Sequence, residues 1–103
     1  MKSVERTVSA YNEKDIELIS AIADKTRLQI LFNLGKKSMC VNEITALFQI
    51  SRPAVSHHLK VLKNNGLVSS EKIGQEIYYT QSKQNIVQIL RSLADDLEEC
   101  CKN

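Results

Sequence analysis

The stretch from residue 51 to residue 62 reads Ser-Arg-Pro-Ala-Val-Ser-His-His-Leu-Lys-Val-Leu, and it has the marks of a short amphipathic helix. Ser51 is a favourable N-cap, because its hydroxyl can accept a hydrogen bond from a first-turn amide. Pro53 lies in the first turn, where a missing N–H costs little. The apolar residues recur at helical spacing and predict one face packed on a core, formed by Val55, Leu59 and Leu62.

The opposite side of this helix carries hydrogen-bonding and cationic side chains and no carboxylate: Ser56, His57, Lys60, Lys63 and Asn64. Such a surface suits a polyanion whose base edges offer both donors and acceptors. An ordinary amphipathic surface helix is the alternative. We expect His57 to contact DNA and His58 to be a packing residue.

The flanking sequence gives this helix a recognisable setting. Val41–Gln49 predicts a second short helix before a brief turn, so that residues 42–65 form a helix-turn-helix. Gly66 can end the second helix in a left-handed conformation. Residues 67–81 then predict two strands around a glycine turn, the wing. The expected fold is mainly α with a small β-hairpin (α+β), a winged helix-turn-helix.

Length and composition exclude other classes. A chain of 103 residues predicts a single domain, 1–103. No apolar run approaches the ~20 residues of a membrane span and no signal peptide opens the sequence, so we expect a cytoplasmic protein with no membrane partner. It contains no phosphate loop, carboxylate pair or nucleophile–base motif, and we expect no enzyme activity.

Charge is unevenly distributed along the chain. Residues 25–75 contain eight basic and two acidic residues, a net +6, whereas 1–24 and 76–103 each carry −2. The middle therefore suits a polyanion and the ends do not.

The ends have apolar stripes at helical spacing and predict dimerisation helices over 1–23 and 82–103. The first stripe includes Val4, Val8, Tyr11, Ile16, Ile19 and Ile22; the second includes Ile86, Ile89, Leu90, Leu93 and Leu97. A homodimer would place two recognition helices about 34 Å apart, matching a palindromic operator in double-stranded DNA.

Several motifs in order resemble the ArsR/SmtB-type winged-helix repressors. Residues 23–31 (Ala-Asp-Lys-Thr-Arg-Leu-Gln-Ile-Leu) are similar to that family's entry motif, with Lys25 in place of the usual proline, and 51–62 and 74–79 resemble its recognition helix and wing. The resemblance implies a dimeric bacterial repressor released from its operator by an inducer, often a metal or metalloid. We expect DNA contacts from Ser51, Arg52, Ser56, His57, Lys60, Lys63, Lys72 and Gln75. A winged-helix module for protein contact is the alternative function.

The family's zinc site between C-terminal helices is not matched here. The positions that would supply its Asp and His ligands hold Lys83, Asn85, Asp96 and Glu99. A lysine stands where a cation should bind and two imidazoles are missing, so this zinc site is expected to be absent.

The three cysteines offer a different sensor. Cys40 aligns with the first Cys of a second family site, whose second Cys is Asn42 here. We expect Cys40 to be a helix N-cap paired with Glu43 three residues on. Vicinal Cys100 and Cys101 would suit a thiophilic ion such as As(III) or Sb(III). No cofactor is required, and structural cysteines or a repressor with no small-molecule inducer remain the alternatives.

Overall fold

A computed structural model describes the backbone of residues 13–101 and the side chains of residues 13–99. In chain order, its elements are α1 (Glu13–Ile22), α2 (Lys25–Leu34), β1 (Met39–Cys40), α3 (Val41–Phe48), α4 (Arg52–Asn64), β2 (Val68–Ile73), β3 (Glu76–Gln81) and α5 (Lys83–Cys101). The predicted winged helix-turn-helix is confirmed. Val4, Val8 and Tyr11 of the predicted first stripe lie outside the described residues.

Helix α4 begins and ends as its sequence predicts. The Ser51 hydroxyl accepts a hydrogen bond from the Ala54 amide at 3.2 Å, and a proline stands in the first turn. At the other end, Gly66 has φ +72°, and the amide of Leu67 donates to the Leu62 carbonyl at 3.0 Å. This is the Schellman arrangement, in which a left-handed glycine lets the chain turn back and satisfy a terminal carbonyl. Both leucines are buried, so the turn is also packed on the core.

Helices α3 and α4 are joined by a tight turn. Gln49 ends α3 in a left-handed conformation, with φ 55° and ψ 40°, and its amide donates to the Thr45 carbonyl at 2.8 Å. Among the described residues it is the one non-glycine residue with positive φ. A left-handed conformation is energetically unfavourable for any residue that has a Cβ atom. The turn is therefore held by the packing of the two helices it joins.

The wing belongs to a three-stranded antiparallel sheet in the order β1-β3-β2. Ile73 pairs with Glu76 across a two-residue loop that starts at Gly74, whose φ is +66°. Positive φ at the first loop residue is where type II′ hairpins place glycine. The sequence predicted two strands; the third, Met39–Cys40, pairs with Tyr79 and Tyr78 of β3.

The core lies between the helices and the inner side of the sheet. Its buried members are Leu18, Ala21, Ile30, Leu31, Leu34, Ile44, Val55, Leu59, Leu62, Leu67, Val68 and Leu93. The wing is fastened to α2 as well, because the side-chain amide of Gln81 donates to the Leu31 carbonyl at 2.8 Å. None of the helices within the described residues is long and apolar enough to cross a membrane.

Candidate nucleic-acid interface

Helix α4 has one face in the core and the other in solvent. Val55 and Leu62 are fully buried and Leu59 is 1% exposed. The exposed side chains are those predicted to be polar contacts, namely Arg52, Ser56, His57, Lys60 and Lys63. All residues of α4 are among the described ones, and the solvent face of this helix carries no exposed large hydrophobic residue. The arrangement presents donors and positive charge on a rigid helix that the core holds in place.

The wing contributes two further predicted contacts. Lys72 is exposed on β2, and Gln75 is exposed in the loop that joins β2 to β3. The wing is connected to the end of α4, because the Lys63 ammonium donates to the Ser70 hydroxyl at 2.7 Å. Lys63, predicted as a DNA contact, therefore also joins the recognition helix to the wing. Ser51, the remaining predicted contact, is exposed and serves as the N-cap.

Arg27 is the residue that sequence reasoning missed as a contributor to this region. Its Nε donates to the Ala21 carbonyl at 2.7 Å, and its Nη1 lies 3.1 Å from Nδ1 of His58 on α4. Its backbone amide donates to Oδ1 of Asp24, the N-cap of α2, at 2.9 Å, and this hydrogen bond is the main reason that the pKa of Asp24 is lowered. The sequence signal that could have pointed to Arg27 was its place in the 23–31 motif. That motif indicated the family but predicted no contact for Arg27.

The family's zinc positions on α5 make other contacts in this fold. The Asn85 amide donates to the Gly66 carbonyl at 3.3 Å, at the end of α4. Asp96 makes a side-chain hydrogen bond with Asp15 of α1, which raises the pKa of Asp15. An amide, a lysine and a carboxylate already engaged with another carboxylate are a poor donor set for Zn²⁺. Within the described residues no group of three His, Cys, Asp or Glu side chains could hold a metal ion.

The predicted thiol residues are in two places. Cys40 is a buried free cysteine, 5% exposed, at the junction of β1 and α3. As predicted, it is the N-cap of α3, and its backbone amide donates to the Glu43 carboxylate at 3.0 Å. Cys100 and Cys101 are in the last turn of α5, and their side chains lie outside the described ones.

A helix-turn-helix with an adjoining β-hairpin wing and a cationic, carboxylate-free second helix defines the winged-helix class. A family model described as "Bacterial regulatory protein, arsR family" matches residues 24–70. An arsenical resistance operon repressor of Staphylococcus aureus is 32% identical, over 84% of this chain and 86% of its own length. A transcriptional repressor SmtB homolog of Synechocystis is 34% identical over 81% of this chain, which spans 63% of that relative. The chain belongs to the ArsR family of bacterial regulatory proteins.

Solved structures of similar proteins agree on the fold. An ArsR-like transcriptional regulator from Rhodococcus sp. RHA1 superposes with TM-score 0.74 at 30% identity, covering 84% of this chain and 82% of its own. The homodimeric winged helix-turn-helix DNA-binding domain of a Mycobacterium bovis protein gives TM-score 0.68 at 23% identity, covering 87% and 83%. The second likeness concerns the fold alone.

Proposed function

We propose that this protein is a homodimeric, sequence-specific DNA-binding repressor that places α4 in the major groove and the wing on the flanking backbone. The observation that carries the proposal is the outer face of α4. It exposes Ser56, His57 and Lys60, with no acid and no large apolar side chain, while the opposite face is anchored in the core. A protein-docking version of the fold would be expected to expose apolar residues on that face.

The assignment of roles follows from position and chemistry. Ser56 and His57, on the outer face of α4, have side chains suited to base edges. Arg52, Lys60, Lys63 and Lys72 suit phosphates, because each carries a positive charge at an exposed position. The sugar–phosphate backbone would be contacted by Gln75, at the wing tip, and by Ser51, at the N-terminus of α4. A regulator of bacterial genes works in the cytoplasm, where the chromosome is.

Dimerisation is proposed through α1 and α5, the helices at the two ends of the described region. Each exposes large apolar side chains on its surface: Ile16 and Ile19 on α1, and Val87, Leu90 and Leu97 on α5, all between 43% and 53% exposed. Among the described residues, five of the nine exposed large apolar side chains lie on these two helices, and exposed apolar patches mark interaction surfaces. Sedimentation of the wild type and of Leu90→Glu would show a dimer and a weakened dimer.

DNA binding is tested by selecting duplexes from a random pool and measuring affinity against salt. If roughly 6–10 phosphates are neutralised per dimer, the log–log slope should be about −5 to −9. Failure to enrich any sequence, or an affinity that is flat between low and moderate salt, would reject the proposal. Repression rather than activation is tested by a reporter placed behind the selected site.

An inducer response through sulfur is the finer part of the proposal. Cys100 and Cys101 are adjacent at the end of a proposed dimer helix, so a thiophilic ion or an oxidant acting there would alter subunit packing. Cys40 is buried and is therefore a weaker candidate for the thiol that first reacts with the ion or oxidant. Operator release by As(III) should be lost in a Cys100→Ser, Cys101→Ser double variant. Equal DNA binding by both proteins with and without As(III) or oxidant would make this a repressor without such an inducer.

A further inference from the structure

The Arg27 guanidinium connects three helices. Its Nε and Nη2 donate to the carbonyls of Ala21 and Ser20, at 2.7 and 3.4 Å, in the last turn of α1. Carbonyls in a last helical turn lack partners within the helix, so a cation there is doubly favourable. The third contact, from Nη1 to His58 Nδ1 at 3.1 Å, reaches across to the recognition helix. Arg27 itself is in the first turn of α2.

The contact with His58 fixes the state of its imidazole. A guanidinium has five donors and no acceptor, so Nδ1 must present its lone pair, and the proton of the neutral ring is on Nε2. A protonated ring would replace that acceptor with a donor and set two positive charges side by side. The Arg27–His58 contact therefore exists only while His58 is neutral.

The surroundings of His58 favour the neutral form. His58 is half-buried, and its Nδ1 lies 3.1 Å from Arg27 of α2. The charged and titratable groups that face it are Asp24 and Arg27 from α2 and His57 from its own helix. Desolvation is the main cause that lowers the pKa of His58; Arg27 and His57 act in the same direction and Asp24 opposes them. The contact is therefore favoured at neutral pH and is lost as the pH falls through the lowered pKa of His58.

We propose that Arg27 and neutral His58 are a positioning pair that holds the recognition helix against the end of α1, so that mild acid weakens DNA binding by releasing the helix. This rests on the proposed function, since it concerns how α4 is presented to DNA. Neither side chain needs to touch DNA for the effect. Because α1 is also a proposed dimer helix, the pair ties the orientation of α4 to the dimer.

His57 provides the internal comparison. It is exposed on the outer face of α4, where a proton would add positive charge toward the DNA. Acid should therefore strengthen DNA binding through His57 and weaken it through His58. Since these are the two histidines of the chain, single variants separate the opposite effects.

The experiment measures affinity for a selected duplex at pH 5.5 and pH 7.5, at constant ionic strength. In His57→Asn one histidine remains, His58, and affinity should fall as the pH drops through the His58 pKa. A one-unit difference in that pKa between free and bound states gives a loss that approaches tenfold once the pH is below both values. In His58→Asn the amide Oδ1 can replace Nδ1 as acceptor, so affinity at pH 7.5 should be largely kept and the acid loss should vanish. His58→Leu should bind weakly at both pH values.

Two outcomes would overturn the pair. His58→Asn could lose as much affinity in acid as His57→Asn, or His58→Leu, if folded, could bind like the wild type at pH 7.5. The histidine ring protons give a readout without DNA: in wild type, His58 should titrate below the ordinary histidine value of 6.5, and Arg27→Gln should move the His58 titration upward. An unchanged His58 titration in Arg27→Gln would refute the contact. If no variant binds any duplex while the titrations behave as expected, the pair stands and the proposed function fails.

Discussion

Neighbouring residues on α4 allow stability and DNA binding to be separated. Leu59 is 1% exposed in the core, whereas Lys60 is exposed on the outer face. Leucine and lysine have similar helix propensities. The effects of replacing each by alanine therefore differ mainly because the two side chains make different contacts. Replacing a buried leucine by alanine removes its transfer free energy and leaves a cavity, which together cost about 2–5 kcal/mol. A substitution at an exposed position such as Lys60 changes the free energy of unfolding by no more than about 0.5 kcal/mol.

Leu59→Ala is therefore expected to lower the free energy of unfolding by about 2–5 kcal/mol, a large share of the ~5–15 kcal/mol typical of a domain. Lys60→Ala should leave it nearly unchanged and weaken DNA binding instead. Urea unfolding followed by circular dichroism measures the first effect. Protomer concentration must be equal in all samples, because dimerisation adds to apparent stability. A loss under ~1 kcal/mol for Leu59→Ala, or equal losses for both variants, would refute the assignment of the two faces.

Three further predictions concern conformation and charge. Gly66→Ala should destabilise the protein by about 1–2 kcal/mol because φ is +72°, whereas Gln49→Gly, at φ 55°, should be neutral or stabilising. Thermal unfolding of the two variants checks this prediction, and a less stable Gln49→Gly than Gly66→Ala would contradict it. Ser51→Ala should cost about 1 kcal/mol through loss of the cap bond, and Ser51→Thr should restore most of it in the same assay. Because the pKa of His58 is lowered on folding, its contribution to stability is complete above pH 6.5 and is lost as the pH falls through the folded-state pKa, so urea midpoints should decline toward pH 5 in wild type and decline less in His58→Asn.

The helix-turn-helix was predictable because its signals are local. An N-cap serine, a first-turn proline and apolar residues at helical spacing all act within a few residues, and the structure confirms them in α4. Gly66 likewise ends the helix by its own backbone freedom. The wing turn followed from Gly74 and the β-rich residues after it.

The features that were missed depend on residues far apart in sequence. The two-residue strand Met39–Cys40 exists because β3 is beside it, and two residues carry no periodicity of their own. The contact between Arg27 and His58 joins residues 31 apart. His58 was expected to be a packing residue and is half-buried, but its polar partner is set by how α2 crosses α4. No local pattern encodes that crossing.

The central claim is that α4 reads bases while the wing anchors the protein on the backbone. The most direct measurement compares His57→Ala and Lys72→Ala on a selected duplex and on a random duplex across a salt series. His57→Ala should lose about 1–3 kcal/mol on the selected duplex and little on the random one. Lys72→Ala should weaken both duplexes together and reduce the salt slope by about one. Equal losses on both duplexes for both variants, with an unchanged slope, would contradict the account.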